Sequence, residues 1–260
     1  MSHHKISIVT PSYNQARFIE RTIRSVLVQD YPELEYIVLD GGSTDHTVEI
    51  LKNYDRDLSF WCSEKDRGQT HAINRGFARS TGEIIGWLNS DDMLFPGALH
   101  RINRVFSEHP EVDVVYGNGV WIDEFDRVIR KRRNGEFHFK TWLYGMADPF
   151  QPEVFYRRGV LEKGGYLNEE FHMLMDREWW IRLAKSGCNF MYVNDEFAAL
   201  RKHTQTKSSR QRMVNDLERW KLHDLYWEGF RFKNPSLHRM HWKLVSLYYL
   251  ALRRLRIATR

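Results

Sequence analysis

The residues best suited to chemistry in this chain are carboxylates set at the ends of apolar runs. The clearest case is Ile84-Ile85-Gly86-Trp87-Leu88-Asn89-Ser90-Asp91-Asp92, where an apolar stretch ends abruptly in two adjacent acids. Ile84 to Leu88 has the length and composition of a buried strand, so Asp91 and Asp92 fall where that strand leaves its sheet. Neighbouring carboxylates repel unless a cation or a ligand's donor holds them. Hard oxygen ligands suit Mg²⁺ or Mn²⁺, which bind one or two carboxylates together with substrate phosphates. The plainer reading is that Ser90-Asp91-Asp92 turns the chain and caps the helix after Pro96. Asp40, in Asp40-Gly41-Gly42-Ser43-Thr44-Asp45, can accept a hydrogen bond from a base N–H, and Tyr13 can offer a flat face to a ring. Ser43 to Asp45 read as a helix cap. Asp176 opens an apolar helical pattern, where both an N-cap and a general base are open to it.

These side chains need elements to carry them. From Lys5 to about Glu108 strands and helices alternate: Ile6–Thr10, a helix near Phe18–Gln29, Glu35–Leu39, a helix near Thr47–Tyr54, Leu58–Cys62, a helix near Thr70–Arg79, Ile84–Leu88, and a helix near Gly97–Phe106. Such alternation implies βαβ units and a mainly parallel sheet with right-handed crossovers. The loops after successive strands then share one edge, where open α/β sheets bind ligands. Tyr13, Asp40, Asp66 with Arg67, and Asp91 with Asp92 lie on those loops. Neither G-x-G-x-x-G after the first strand nor a P-loop is present. Past Glu108 the rhythm breaks. Val112–Asp123 and Val128–Arg132 read as a hairpin, Glu153–Tyr156 as a strand, and Asp176–Ala184 as a helix burying Trp179, Trp180, Leu183 and Ala184. Lys131-Arg132-Arg133 reads as a solvated basic loop.

The chain of 260 residues can hold one large domain or a domain with an appendage, and its net charge of +5 favours acidic partners. Cys62 and Cys188 form no disulfide framework and no metal-ligand spacing. The apolar segment Ile6–Val9 is too short for a signal peptide, and no run approaches the roughly 18 apolar residues of a membrane span. A cytoplasmic protein is expected, with peripheral contact to the cytoplasmic membrane face open to it. Basic residues are scattered without a recognition motif, which argues against nucleic acid.

Read together, the loops resemble family 2 of the glycosyltransferases. Ile8-Val9-Thr10-Pro11-Ser12-Tyr13-Asn14 is similar to the family's opening strand and loop. Val38-Leu39-Asp40-Gly41-Gly42-Ser43-Thr44-Asp45 is similar to its second motif, with Gly41 where many members have Asp. Asn89-Ser90-Asp91-Asp92 resembles D-x-D-D with its first acid replaced, Met175-Asp176 resembles the Glu-Asp pair of the catalytic base, and Leu200-Arg201-Lys202-His203 with Ser208-Ser209 resembles the late histidine loop. The resemblance spans about Lys5 to Ser209. It implies an α/β GT-A fold, a Rossmann-like nucleotide-binding half over about 1–110 and an acceptor half over about 111–209 sharing a mixed sheet. It implies that Pro11, Tyr13, Asp40, Asp66 and Arg67 hold the nucleotide, with Asp92 near the donor sugar. Asp91, with His203 as a further ligand, would hold Mn²⁺ or Mg²⁺, and Asp176 would be the base of an inverting transfer. The donor would be a nucleotide-diphospho-sugar, with UDP the first candidate base, and the acceptor a glycan or lipid-linked glycan. Asn89 and Met175 also leave room for an alternative, a nucleotide-sugar-binding scaffold subunit with weak or no turnover.

Residues 210–260 read as a helical extension rich in Trp and Tyr, without any acid after Glu228. Over 236–260 the mixture of cations with leucines suits an anionic membrane surface. Packing on the catalytic part, or in a homodimer, is the other expectation.

Overall fold

The computed structural model describes residues 3–145, 149–204, 206, 212–227 and 232–258. The first strands follow the expected alternation: β1 (Ile6–Ser12), β2 (Leu34–Asp40), β3 (Phe60–Ser63) and β4 (Ile84–Trp87), joined through α1 (Ile19–Leu27), α2 (Thr47–Asn53) and α3 (Gln69–Arg79). They pair in parallel in the order β3-β2-β1-β4, so their C-terminal ends lie along one edge. Their apolar runs are continuous because both sheet faces are covered. Ile6, Ile8, Tyr36 and Val38 enter the core under α1 and α4 (Ala98–Glu108), while Val9, Ile37 and Leu39 enter the opposite core with Ile73 and Phe77 of α3.

Beyond β4 the sheet becomes mixed. A two-residue strand β5 (Met93–Leu94) follows the Asp91-Asp92 turn, and β6 (Val114–Ile122) with β7 (Val128–Arg132) forms the expected hairpin. β8 (Val154–Arg157) pairs antiparallel with both β4 and β6, and β9 (Phe190–Arg201) runs parallel to β6 and antiparallel to β5. The mainly parallel sheet expected from the alternation is therefore mixed: β1 to β4 are parallel, β8 runs against β4 and β6, and β6 and β9 are parallel again. β9 was absent from the sequence reading: Met191, Val193, Phe197 and Ala199 share it with Asn194, Asp195 and Glu196, which blur its alternation. On β7, Lys131 reaches Glu196 at 2.9 Å and Arg132 lies 4.9 Å from the Phe150 ring centroid, so the basic cluster sits on a strand with local partners.

The acceptor side carries α5 (Phe139–Gly145), α6 (Val160–Gly164) and α7 (Met175–Lys185). Trp179 and Trp180 of α7 are fully buried. Trp180 Nε1 donates to the Tyr156 hydroxyl at 2.7 Å, and Tyr156 stacks on Trp87 at 5.9 Å between centroids. Each large aromatic removed from water contributes about 2–3 kcal/mol, enough to fix α7 beneath the end of β4. The extension forms α8 (Arg212–Tyr226) and α9 (Pro235–Ala258). Leu222, Tyr226, Trp227, Val245 and Tyr249 join the same core as α7, so these helices pack on the acceptor side. No helix among the described residues is long and apolar enough to cross a membrane.

Candidate active site

The four strand ends build a crevice whose loops are tied to one another. Asn14, in the left-handed region at φ 52°, accepts a bond from the Thr44 N–H, while its own N–H donates to Ser43 Oγ at 2.7 Å. Asparagine tolerates that conformation at small penalty. The tie leaves Tyr13, 59% exposed, standing at the mouth, with Pro11 buried in β1 opposite Leu39. Asp40 is buried and accepts bonds from the Ser43 N–H at 2.8 Å, the Ser43 hydroxyl and the Ser63 hydroxyl. A carboxylate has about four acceptor positions. Asp40 thus holds β2 to β3 and keeps roughly one position for a base N–H. Asp45 receives the Thr47 N–H at 3.0 Å from one residue before the N-cap of α2, which is His46.

Gly41 and Asp66 are complementary. A Cβ at position 41 would lie 2.9 Å from Asp66 Oδ2, so only glycine lets that carboxylate close over the end of β2. Asp66 is fixed from its own side by the Gly68 N–H at 2.7 Å. Arg67, 70% exposed at its side chain, pairs with Glu169 through contacts of 2.9–3.2 Å and so spans from the β3 loop to the segment before α7.

At the end of β4 the turn does not cap α4, whose N-cap is Gly97. Pairing of Met93 with Ala199 and Leu94 with Ala198 carries the end of β9 back alongside Asp91 and Asp92. Arg201 Nε donates to the Asp91 carbonyl at 2.8 Å, and the Arg201 N–H donates to Asp92 Oδ1 at 2.9 Å. Two residues on, His203 Nε2 lies 3.0 Å from Asp91 Oδ2, although the residues are 112 positions apart. The imidazole is 1% exposed and packs on Phe18 at 4.5 Å. One carboxylate oxygen and one imidazole nitrogen fit a divalent cation. No group of three His, Cys, Asp or Glu among the described residues completes a cage. The remaining positions would fall to oxygens of a ligand, the usual way Mg²⁺ and Mn²⁺ sit at phosphates. Ser208-Ser209 lie outside the described residues.

Asp92 is 1% exposed and also accepts from Asn89 Nδ2 at 3.2 Å. Burial, followed by the charge of Asp91, pushes its carboxyl well above the usual carboxylate range. Expected beside the donor sugar, it ties β9 to the end of β4. Asn89 uses its whole amide: Nδ2 also reaches Gln151 at 3.2 Å, and Oδ1 accepts from Gln69 Nε2 at 2.7 Å.

Gln69 opens α3, and the next residue leads to the proposed base. Thr70 Oγ1 donates to the Phe171 carbonyl at 3.0 Å and contacts Met175 Sδ at 2.8 Å. The first turn of α3 therefore contacts Asn89, just past β4, through Gln69, and Met175, beside Asp176, through Thr70. Asp176 is half-buried in the first turn of α7, and the N-cap is Leu174, not Asp176. Asp176 Oδ1 accepts the Arg177 N–H of that turn at 2.7 Å, and a second acid holds the residues that lead into the helix. Glu218 of α8, 6% exposed, accepts the N–H groups of His172, Met173 and Leu174 at 2.6, 2.7 and 2.9 Å. A carboxylate at a helix N-terminus completes free donors and meets the favourable end of the dipole. Tyr226, on the same helix, donates to Glu178 at 2.6 Å. Sequence reasoning missed Glu218, because nothing local distinguishes it from other acids of a surface helix.

The model of the family "Glycosyl transferase family 2" matches residues 7–165. The chain belongs to this family. This family 2 glycosyltransferase is 35% identical over 170 residues to an uncharacterized glycosyltransferase of Nostoc sp., covering 61% of this chain and 52% of that one. The chain thus spans about half the length of that relative. It is 30% identical to a PGL/p-HBAD biosynthesis glycosyltransferase of Mycobacterium bovis over 186 residues, 70% of each chain. Among solved structures it resembles residues 1–349 of Staphylococcus aureus TarS in complex with UDP-GlcNAc, with a TM-score of 0.67 at 19% identity over 95% of this chain and 71% of that one. It also resembles a mannosyltransferase of Pyrobaculum calidifontis in complex with GDP-Man and Mn²⁺, with a TM-score of 0.65 at 18% identity over all of this chain and 75% of that one. The mixed sheet with its helical C-terminal portion is accordingly the GT-A fold.

Proposed function

We propose that this glycosyltransferase moves a sugar, with inversion and with help from a divalent metal, from a nucleotide-diphospho-sugar to a hydroxyl of a glycan or lipid-linked glycan. A UDP-sugar is the first candidate donor. The observation that carries the reading is the pairing of Asp91 with buried His203 just past β4, with the first turn of α3 linking the β4 end to Met175, next to Asp176. The nucleotide-sugars bound by the two structural neighbours support the donor class.

Transfer breaks the bond between the anomeric carbon and a phosphate oxygen, and negative charge builds on the departing diphosphate. Asp91 and His203 would hold Mn²⁺ or Mg²⁺, which when bound supplies Lewis-acid stabilisation of that charge. Tyr13 offers its ring to the base, Asp40 its remaining acceptor position, and Asp66 closes the pocket over Gly41. Asp176 takes the proton of the attacking hydroxyl, the role general-base catalysis requires on the face opposite the leaving group.

Turnover is to be measured over a panel of UDP- and GDP-sugars with and without Mn²⁺, in the wild type, Asp176→Asn and Asp91→Asn. Metal-dependent transfer that falls about 10²–10⁴-fold in Asp176→Asn, with donor binding retained, is the expected result. Binding of nucleotide with no turnover on any glycan or lipid-linked acceptor would assign the protein to the scaffold alternative. Nuclear magnetic resonance of the product's anomeric proton decides inversion.

A further inference from the structure

The exposed face of α9 has no place in the proposed transfer reaction. Leu237, Met240, Leu244, Leu247 and Tyr248 are 46–62% exposed, and their spacing of three, four, three and one places them along one stripe of the helix. The opposite side, with Trp242, Val245 and Tyr249, packs towards α5 and α8. Lys243, exposed, flanks the stripe, while Arg239 sets its guanidinium over the Trp220 ring of α8 at 5.0 Å. Where the stripe meets α5, Leu244 and Tyr248 also line an open cavity of about 550 Å³ with Lys140 and Tyr144.

Charge separates the occupants such a face can have. After Glu228 the sequence holds no acid, while cations continue from Arg231 to Arg260. Two copies joined through this helix would bring like charges together with no partner acid on either α9. On α8, Asp216 lies 3.8 Å from Arg219 of its own helix. A surface that supplies negative charge and accepts apolar side chains suits every feature at once. We infer that α9 docks, through Leu237, Met240, Leu244, Leu247 and Tyr248 with Lys243 at the flank, on an anionic lipid bilayer surface.

The test uses the full chain and vesicles of phosphatidylcholine made with and without phosphatidylglycerol, read by co-sedimentation at low and high salt. Expected is binding that requires phosphatidylglycerol, weakens in high salt, falls about fivefold for Lys243→Glu, and is lost in Leu244→Glu/Leu247→Glu. Equal binding to both vesicle types, or none at low salt, overturns the inference. So does a dimer by light scattering that the leucine variant disperses while wild type ignores vesicles, which would give the face to a second copy. Circular dichroism identifies any variant that fails to fold, and the salt and lipid dependence of wild type then decides alone. None of these readouts depends on turnover, so they stand apart from the proposed transfer reaction.

Discussion

Glu218 offers the sharpest test of how the base is held. Its carboxylate is the shared acceptor for three consecutive N–H groups that end one residue before Met175-Asp176. In Glu218→Ala those donors lose their acceptor inside a site 6% exposed. At about 1–3 kcal/mol for each unsatisfied buried donor, less what entering water restores, the loss is about 3–5 kcal/mol. That is a large share of the stability of about 5–15 kcal/mol usual for a domain, so the alanine variant is informative only if it folds. Glu218→Gln keeps the shape and one carbonyl oxygen while removing the charge, and its expected loss is about 1–2 kcal/mol. Urea denaturation measures that loss directly. If α8 positions Asp176, the glutamine variant lowers kcat about tenfold while the donor KM stays within about twofold. In the proposed reading the donor contacts come from the loops after β1, β2, β3 and β4, to which Glu218 makes no hydrogen bond, and a tenfold rate corresponds to only ~1.4 kcal/mol. A stability loss of the expected size with kcat unchanged would refute the reasoning: α8 would then stabilise the fold without orienting the base.

Other perturbations follow from the same geometry. Gly41→Ala places a methyl 2.9 Å from Asp66 Oδ2, so donor KM rises several-fold with kcat little changed, read from steady-state kinetics. In Gly76→Ala the new methyl runs into Val9 Cγ1. Overpacking of about 1–3 kcal/mol exceeds the ~1 kcal/mol that alanine adds to a helix, so the thermal midpoint falls, and Val9→Ala in the same chain restores part of it. Glu35 is partly buried, which alone would raise its carboxyl, but bonds from Ser7 and from Thr81 outweigh this and lower it from 4.5 to about 2. Its stabilisation is therefore complete above pH 4.5 and lost as pH falls towards 2. Discounted for partial exposure, the amount is ~1–2 kcal/mol, and Glu35→Gln should flatten the acid limb of stability against pH over that window.

Much of the donor side was legible because its signals are local. Apolar runs buried on both faces give strands, and a parallel order forces the loops bearing Tyr13, Asp40, Asp66 and Asp91 onto one edge, whatever their side chains then do. What each side chain does there was less legible. Asp40 and Asp92 read as ligand contacts, yet their oxygens answer Ser43, Ser63, Asn89 and Arg201, partners named by three-dimensional proximity and not by spacing. The acceptor side resisted for another reason: β9 mixes polar and apolar residues because its neighbours change along its length from β6 alone to β6 and β5.

Asp176 brings both lessons together. Its position at the start of a helix made an N-cap the plain alternative to catalysis, and a carboxylate engaged as a cap has its oxygens turned to the backbone. The structure divides that work: Glu218 holds the approach to the helix, Asp176 Oδ1 takes the Arg177 N–H at 2.7 Å, and the first turn of α3 joins Asp176's helix to the β4 end through Gln69 and Thr70. Under the proposed function the same carboxylate would also take the proton of a bound hydroxyl, so Asp176→Asn, which keeps an oxygen for Arg177, separates the two roles: turnover falls while the urea midpoint holds.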